Sequence, residues 1–360
     1  MKHWQETATI LGEVIRSADA GEQAAVATVV AIERSAYRRP GAKFLVKQGG
    51  ATSGSVSGGC LEADVREVAL AALREGAPRL LHYDTGSDDR TAWGLGLGCN
   101  GSVDILVQLA TSPAALDVAR RVRELLGGEE AFAVATMLEG ERAGRAIVFA
   151  RGGPSGSTGD GALDRELASG ASAALERRET SVHALGAMRA FFEVLVPPPH
   201  LLVFGAGDDA IPLVEYAAGA GFRVTVVDHR PAFLTDARFP AAWRLVQRRP
   251  EEGIAGLPMR EGACAVLKAH SLGIDRDWLA ALLPTPLAYL GLLGPRARSE
   301  EMLRQIGAAP DDRVFAPIGL DVGAEGPEQV ALSIVAELLA ARAGRPPRHL
   351  RQREGAIHVG

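Results

Sequence analysis

Cysteine is nearly absent from this chain of 360 residues: Cys60, Cys99 and Cys264 are all it has, with no Cys-x-x-Cys or His-x-x-x-His zinc spacing. So few thiols, so placed, exclude a disulfide scaffold and leave any that matters reduced and free. Lysine-rich runs are missing, as are runs that interleave arginine with aromatic rings, and 39 Lys+Arg stand against 44 Asp+Glu for a formal charge of −5. Nucleic acid is therefore not an expected partner. No apolar stretch reaches membrane-spanning length without Gly, Pro or charge, and Met1-Lys2-His3-Trp4-Gln5-Glu6 lacks the apolar centre of a signal peptide. A cytoplasmic protein with no membrane partner is expected. What is there, 47% hydrophobic and 23% charged positions, suffices for two or three domains with cores of their own.

Residues Gln5 to Ala20 place apolar side chains at Ile10, Leu11, Val14 and Ile15 and stop at Gly21, the period of an amphipathic helix. A strand-like run from Ala25 to Ile32 follows, then a loop from Ser35 to Gly41 and a second strand from Ala42 to Val46. A glycine-rich turn, Gly54-Ser55-Val56-Ser57-Gly58-Gly59-Cys60-Leu61-Glu62, opens a further helix near Leu61. It sets Cys60 at a helix mouth, where unpaired N–H groups favour anions and ease thiol ionisation. A tight turn around a small buried cysteine would satisfy the same pattern.

The unit occurs twice. Ala25-Val26-Ala27-Thr28 recurs as Ala133-Val134-Ala135-Thr136, Glu33-Arg34 as Glu141-Arg142, and Gly49-Gly50 as Gly152-Gly153. Gly54 through Glu62 aligns without a gap to Gly156-Ser157-Thr158-Gly159-Asp160-Gly161-Ala162-Leu163-Asp164. His82 corresponds loosely to His183, and the strand Val103–Val107 to Phe192–Val196. Such duplication predicts two halves packed as a pseudo-dimer, each burying its apolar face on the other.

Cys60 becomes Ala162 in the second copy. A turn that only reverses the chain works with alanine, so the cysteine is read as functional. The first copy alone carries Trp93 to Ser102, a second glycine-rich loop with Gly98-Cys99 just before a strand. Cys99 as a ligand and Cys99 as filler at a strand start stay equally open. Arg38, Arg39 and Lys43 border the same half, either as solvated charge or as contacts for a phosphate or dithiolene-bearing ligand. Glu62 reads as complementing the helix dipole, with acid/base work as the alternative.

Pro197-Pro198-Pro199 cannot continue a central strand. It separates an N-terminal α+β domain, residues 1–196, with repeats at about 22–110 and 130–196, from a C-terminal domain, 199–345, and a polar tail, 346–360. The C-terminal domain opens with a buried strand, His200 to Phe204, then Gly205-Ala206-Gly207-Asp208-Asp209-Ala210, a helix, and a strand that ends at Asp228. Strand, glycine turn, helix, strand and acid at that spacing predict a Rossmann-like, doubly wound parallel sheet, so the chain as a whole is of the α/β class. Further strands are expected at Ala263–Lys268 and Pro286–Gly291, with Cys264 as plain core.

A nucleotide would meet Gly205, Gly207 and Asp228, together with Gly291, Gly294 and Arg296 at a later strand end. Asp208 and Asp209 add negative charge where a pyrophosphate would lie, which opposes NAD(P) binding. His270, at the end of another strand, reads as a polar strand end or an acid/base.

Certain motifs carry a family resemblance: Arg39-Pro40-Gly41-Ala42-Lys43, Gly54 to Glu62, Gly96-Leu97-Gly98-Cys99, Gly205-Ala206-Gly207 with Asp228-His229-Arg230-Pro231, Tyr289 to Gly294, and Pro317 to Ala324. In this order over nearly the whole chain, they resemble the xanthine dehydrogenase accessory family, the XdhC/CoxI-type maturation factors of molybdenum hydroxylases. The resemblance implies a carrier that binds molybdenum cofactor, protects it during sulfuration and inserts it into a hydroxylase, and that needs no turnover of its own. Its implied partners are a molybdenum hydroxylase client and a cysteine-desulfurase-type sulfur donor, and a homo-oligomer is expected. On that reading the cofactor contacts are Arg39, Lys43, Gly58, Gly59, Cys60, Glu62, Gly98 and Cys99, with the Cys60 thiolate, a soft ligand, at the molybdenum. An NAD(P)-dependent oxidoreductase built on the Rossmann-like domain is the alternative.

Overall fold

The computed structural model describes residues 2–34, 37–84, 101–309 and 311–354. The chain divides into two compact units, Lys2–Pro197 and the residues from Pro198 onwards.

In the first unit one succession of elements occurs twice. The first copy runs α1 (Lys2–Asp19), β1 (Ala24–Arg34), β2 (Lys43–Lys47), β3 (Thr52–Gly54), α2 (Glu62–Glu75), β4 (Arg79–Asp84) and β5 (Gly101–Leu109). The second runs α3 (Pro113–Leu126), β6 (Phe132–Met137), β7 (Ala146–Ala150), β8 (Gly153–Ser155), α4 (Gly161–Arg177), β9 (Ser181–Leu185) and β10 (Met188–Leu195). Each copy forms a five-stranded antiparallel sheet, ordered β3-β2-β1-β5-β4 and β8-β7-β6-β10-β9.

The sheets are buried on both faces, which is why their central strands read as unbroken apolar runs. Ala25, Ala27 and Val29 of β1 pack against Val65, Ala69 and Ala72 of α2, while Val26 on the other face meets Ile10 and Val14 of α1. In the second copy α4 brings Leu163, Leu167, Ala171 and Ala174 to one face, and α3 brings Val122 and Leu126 to the other. Val30 and Leu106 of the first copy meet Leu138 and Phe191 of the second, joining the two. Register makes the copies comparable residue by residue: Thr28 pairs with Lys43 and Leu106, and Thr136 with Ala146 and Phe191. Lys43 thus corresponds to Ala146.

The second unit is a parallel six-stranded sheet. It comprises β11 (His200–Phe204), α5 (Ala210–Gly219), β12 (Arg223–Asp228), β13 (Arg244–Gln247), β14 (Cys264–Leu267), α6 (Leu272–Leu282), β15 (Tyr289–Leu292), α7 (Arg296–Ile306), β16 (Val314–Phe315) and α8 (Gly326–Arg342). The order is β13-β12-β11-β14-β15-β16, every pairing parallel. α5 and α8 cover one face and α6 and α7 the other, with Cys264 in the core. This is the doubly wound arrangement that the sequence pattern predicts, and its switch point lies between β11 and β14.

Candidate functional site

Several connections of the first copy meet at one end of its sheet. Arg34, the end of β1, pairs with Gly101; Gly54, the end of β3, pairs with Phe44; Asp84, the end of β4, pairs with Ser102. The loop from β1 to β2, the glycine turn and both flanks of residues 85–100 therefore share that end. Tyr83 Oη donates to Asp64 Oδ2 at 2.5 Å, tying the end of β4 to the first turn of α2. Gly98 and Cys99 lie outside the described residues.

The glycine turn is closed on a carboxylate of its own. Glu62 accepts from the backbone N–H groups of Val56 (3.0 Å), Ser57 (2.9 Å), Gly58 (3.2 Å) and Gly59 (2.8 Å) and from the hydroxyls of Ser55 (2.7 Å) and Ser57 (2.5 Å). Burial works to raise its pKa, but the hydrogen bonds from Ser57 and Ser55 outweigh it and hold the carboxyl at about 2. The anion cradle expected for a ligand phosphate is thus filled by Glu62, and Gly58 and Gly59 direct their N–H groups at that side chain. In the second copy Asp164 takes the same place, accepting from Thr158 N (2.8 Å) and the hydroxyls of Ser157 and Thr158 (2.6 Å each).

Cys60 is the exposed, free thiol at the tip of this latched turn. Tyr37, 79% exposed, lies over Gly58, where an added Cβ would stand 2.7 Å from its ring.

The basic residues separate into three situations. Lys43 is buried, and its ammonium donates to Glu193 of the second copy and to the Gly41 carbonyl (3.0 Å). Glu193 also holds His3 Nε2 at 2.8 Å. Burial pushes the Glu193 carboxyl up, yet Lys43 and His3 bring it down to about 2. Lys43 is therefore committed to an ion pair between the copies, which corrects its reading as a cofactor contact. Arg38 donates to both oxygens of Glu6, at 3.3 and 2.5 Å. Arg39 is exposed. Between α1 and the glycine turn is a groove of about 300 Å³ whose walls include Glu6, Arg38, Ser53 and Ser55.

In the Rossmann-like unit the glycine turn is also internally satisfied. Asp228 accepts from Ala206 N–H (2.7 Å) and Arg230 N–H (2.9 Å), and from the Arg230 guanidinium at 3.0 and 2.8 Å. Burial opposes its ionisation, but Arg230 and Ala206 hold it at about 2. A ribose diol would have to displace these partners. The negative charge expected at Asp208 and Asp209 is met by cations: Arg238 lies 2.8 Å from Asp208 and Lys268 2.6 Å from Asp209, whose other oxygen is hydrogen-bonded to the His270 ring at 2.9 Å.

Asp209 also occupies the crook of the turn, since a Cβ on Gly207 would stand 2.8 Å from its Oδ1. Gly205 has φ 119° and no room for a Cβ against the Lys268 carbonyl. At the later strand end Gly291 makes room for Ile318, and Gly294 turns the chain at φ 128°. Arg298 faces inward to Asp275 (2.6 Å), leaving Arg296 exposed.

Residues 17–84 match the XdhC and CoxI family, and residues 201–338 match the XdhC Rossmann domain. A probable xanthine dehydrogenase subunit of Bacillus subtilis (strain 168) is 33% identical over 324 residues, covering 89% of this chain and 94% of the relative. The chain belongs to the XdhC and CoxI family. A crystal structure described as a xanthine dehydrogenase from Bacillus halodurans superposes with a TM-score of 0.77 at 28% identity, over 93% of this chain and 96% of the other. The molybdenum cofactor insertion chaperone PaoD of Escherichia coli (strain K12) is 23% identical over 341 residues, 93% of this chain and 88% of its own.

Three site features of this XdhC and CoxI family member escape a reading of the sequence. Tyr37 stands next to Arg38 in the loop singled out above, and an aromatic residue beside two arginines was the available signal. Glu6 lies on an ordinary helix face, with nothing local to mark it. The Asp209–Lys268 pair joins the start of α5 to the end of β14, 59 residues apart along the chain, and only the sheet order brings them together.

Proposed function

We propose that this protein binds molybdenum cofactor, holds it while a cysteine-desulfurase-type donor supplies the terminal sulfur, and passes it to a xanthine dehydrogenase or related molybdenum hydroxylase. Family membership and the PaoD chaperone's likeness over most of both chains support the carrier role. The observation that carries the assignment to this end of the sheet is the exposed thiol of Cys60, presented on a turn that Glu62 holds rigid. Bound there, the cofactor supplies a molybdenum centre whose softness matches a thiolate. The residues present fit that group in one way and not in another. An exposed thiol on the turn whose Ser55 lines a groove with charged walls suits a soft metal on a polar pterin, whereas the glycine turn, filled by Glu62, offers no seat for its phosphate. Arg39, exposed on the neighbouring loop, takes the phosphate instead of Lys43.

Isolated cofactor added to the purified protein, followed by gel filtration, tests this reading through retained molybdenum and the fluorescence of the oxidised pterin. The wild type is expected to retain both, and Cys60→Ala at least about tenfold less. Because Cys60 is exposed, the substitution changes folding stability by less than about 0.5 kcal/mol. Equal retention by the two proteins would remove Cys60 from the site.

A further inference from the structure

We propose that the cavity between α5 and α8 of the Rossmann-like unit binds a small organic carboxylate, its oxygens on the Lys268 ammonium and its hydrocarbon body among aliphatic side chains. The site is independent of the carrier reading above. Lys268 extends β14 by one residue, since its N–H donates to the Phe204 carbonyl at 2.8 Å. Side chains alternate along a strand. Cys264 and Val266 pack on the α5–α8 face and Ala265 and Leu267 on the opposite one, so Lys268 enters the space between α5 and α8. That space is a cavity of about 250 Å³, walled by Leu213 of α5, Val330 and Ile334 of α8, and Leu293, and its charged lining residues are Asp209 and Lys268.

The ammonium has donors to spare. Lys268 is 2% exposed, and its Nζ stands 2.6 Å from Asp209 Oδ1, outside hydrogen-bond geometry. Asp275, the next carboxylate, is engaged by Ala269 N–H at 2.9 Å and by Arg298 at 2.6 Å. A lysine carries three N–H groups, and Asp209 serves at most one of them. Among the described residues no acceptor takes the others. Burial lowers the Lys268 pKa against the pull of Asp209, so a second anion would stabilise the charged form.

The surroundings of Lys268 select the ligand. A carboxylate brings two oxygens to the two remaining donors. The first residues of α8, Gly326 and Pro327, line the same cavity, and no side-chain hydrogen bond caps that helix, so its positive end adds to the attraction. Glu325 and Glu328 of that turn are exposed and line no part of the cavity. Apolar walls favour a hydrocarbon body and disfavour a multiply charged phosphate, which would lose its hydration there. At about 250 Å³ the cavity is smaller than the ~300–1,000 Å³ of pockets for drug-sized ligands, so a dinucleotide does not fit.

Calorimetric titration of the full-length protein with isovalerate is compared with three controls: isovaleramide, its uncharged isostere; acetate, which has the charge without the body; and inorganic phosphate. The wild type is expected to bind isovalerate about tenfold or more tightly than each of them. Lys268→Met is expected to lose that binding. Asp209→Asn removes the carboxylate that competes for the ammonium and is expected to bind isovalerate about threefold or more tightly than the wild type. Equal affinity for isovalerate and isovaleramide, phosphate binding as tight as that of isovalerate, unchanged binding in Lys268→Met, or no gain in Asp209→Asn would each overturn the site. Should either variant fail to fold, the wild-type order among the four ligands decides alone.

Discussion

Glu62 binds four backbone N–H groups and two hydroxyls of its own turn, so its ionised form is part of the fold. Its pKa of about 2 lies below the ordinary 4.5. For a carboxyl depressed in the folded state, the stabilisation is complete above the unfolded value and is lost as the pH falls through the folded one. Urea midpoints measured from pH 5 down to pH 2 should show a loss that Glu62→Gln lacks. At pH 7, Glu62→Ala should cost about 1–3 kcal/mol, because donors in the turn lose their acceptor. The helix-start position of Glu62 was legible in the sequence, and so was the contrast between Cys60 and Ala162. That the carboxylate folds back over the turn was not, because the same spacing serves a carboxylate that only faces the helix dipole.

Among the elements, the strongly periodic ones were legible and the short ones were not. The opening helix expected over Gln5–Ala20 is Lys2–Asp19, and the strand after it holds. β13, four residues, and β16, two residues, carry too few side chains to show a period. Each copy also includes the helix before its first strand, which sequence comparison overlooks because α1 and α3 share only a few apolar contact positions such as Ile10 and Val118. Gly170, in the interior of α4, illustrates how packing overrides propensity. Alanine for glycine normally stabilises a helix by about 1 kcal/mol. Here the new Cβ would stand 2.6 Å from the Phe192 ring, so Gly170→Ala is expected to destabilise by about 1–3 kcal/mol. Denaturant unfolding of the variant reads the sign directly, and a gain in stability would mean that Phe192 can swing aside.

In the molecule as a whole, the two copies are held together by apolar contact and by a buried charge pair, Lys43 with Glu193. Lys43→Met leaves the carboxylate buried without its main partner and should cost about 3–5 kcal/mol. Adding Glu193→Leu should restore most of that loss in urea unfolding, since the double variant has no stranded charge; no recovery would mean that the pair is held for packing rather than charge. The same pair explains why Lys43 reads as a ligand contact along the chain and is not free to be one in the fold. The amino-acid order by itself determined the doubled unit, the parallel sheet with its glycine turn, and the thiol present in one copy only, because hydrophobic period and turn chemistry act over a few residues. Only the tertiary structure decided that the anion cradles are filled by Glu62 and Asp164, that Lys43 meets Glu193 150 positions away, and that Lys268 meets Asp209 with His270 beside it. An ion pair depends on distance and on loss of water, and spacing along the chain encodes neither.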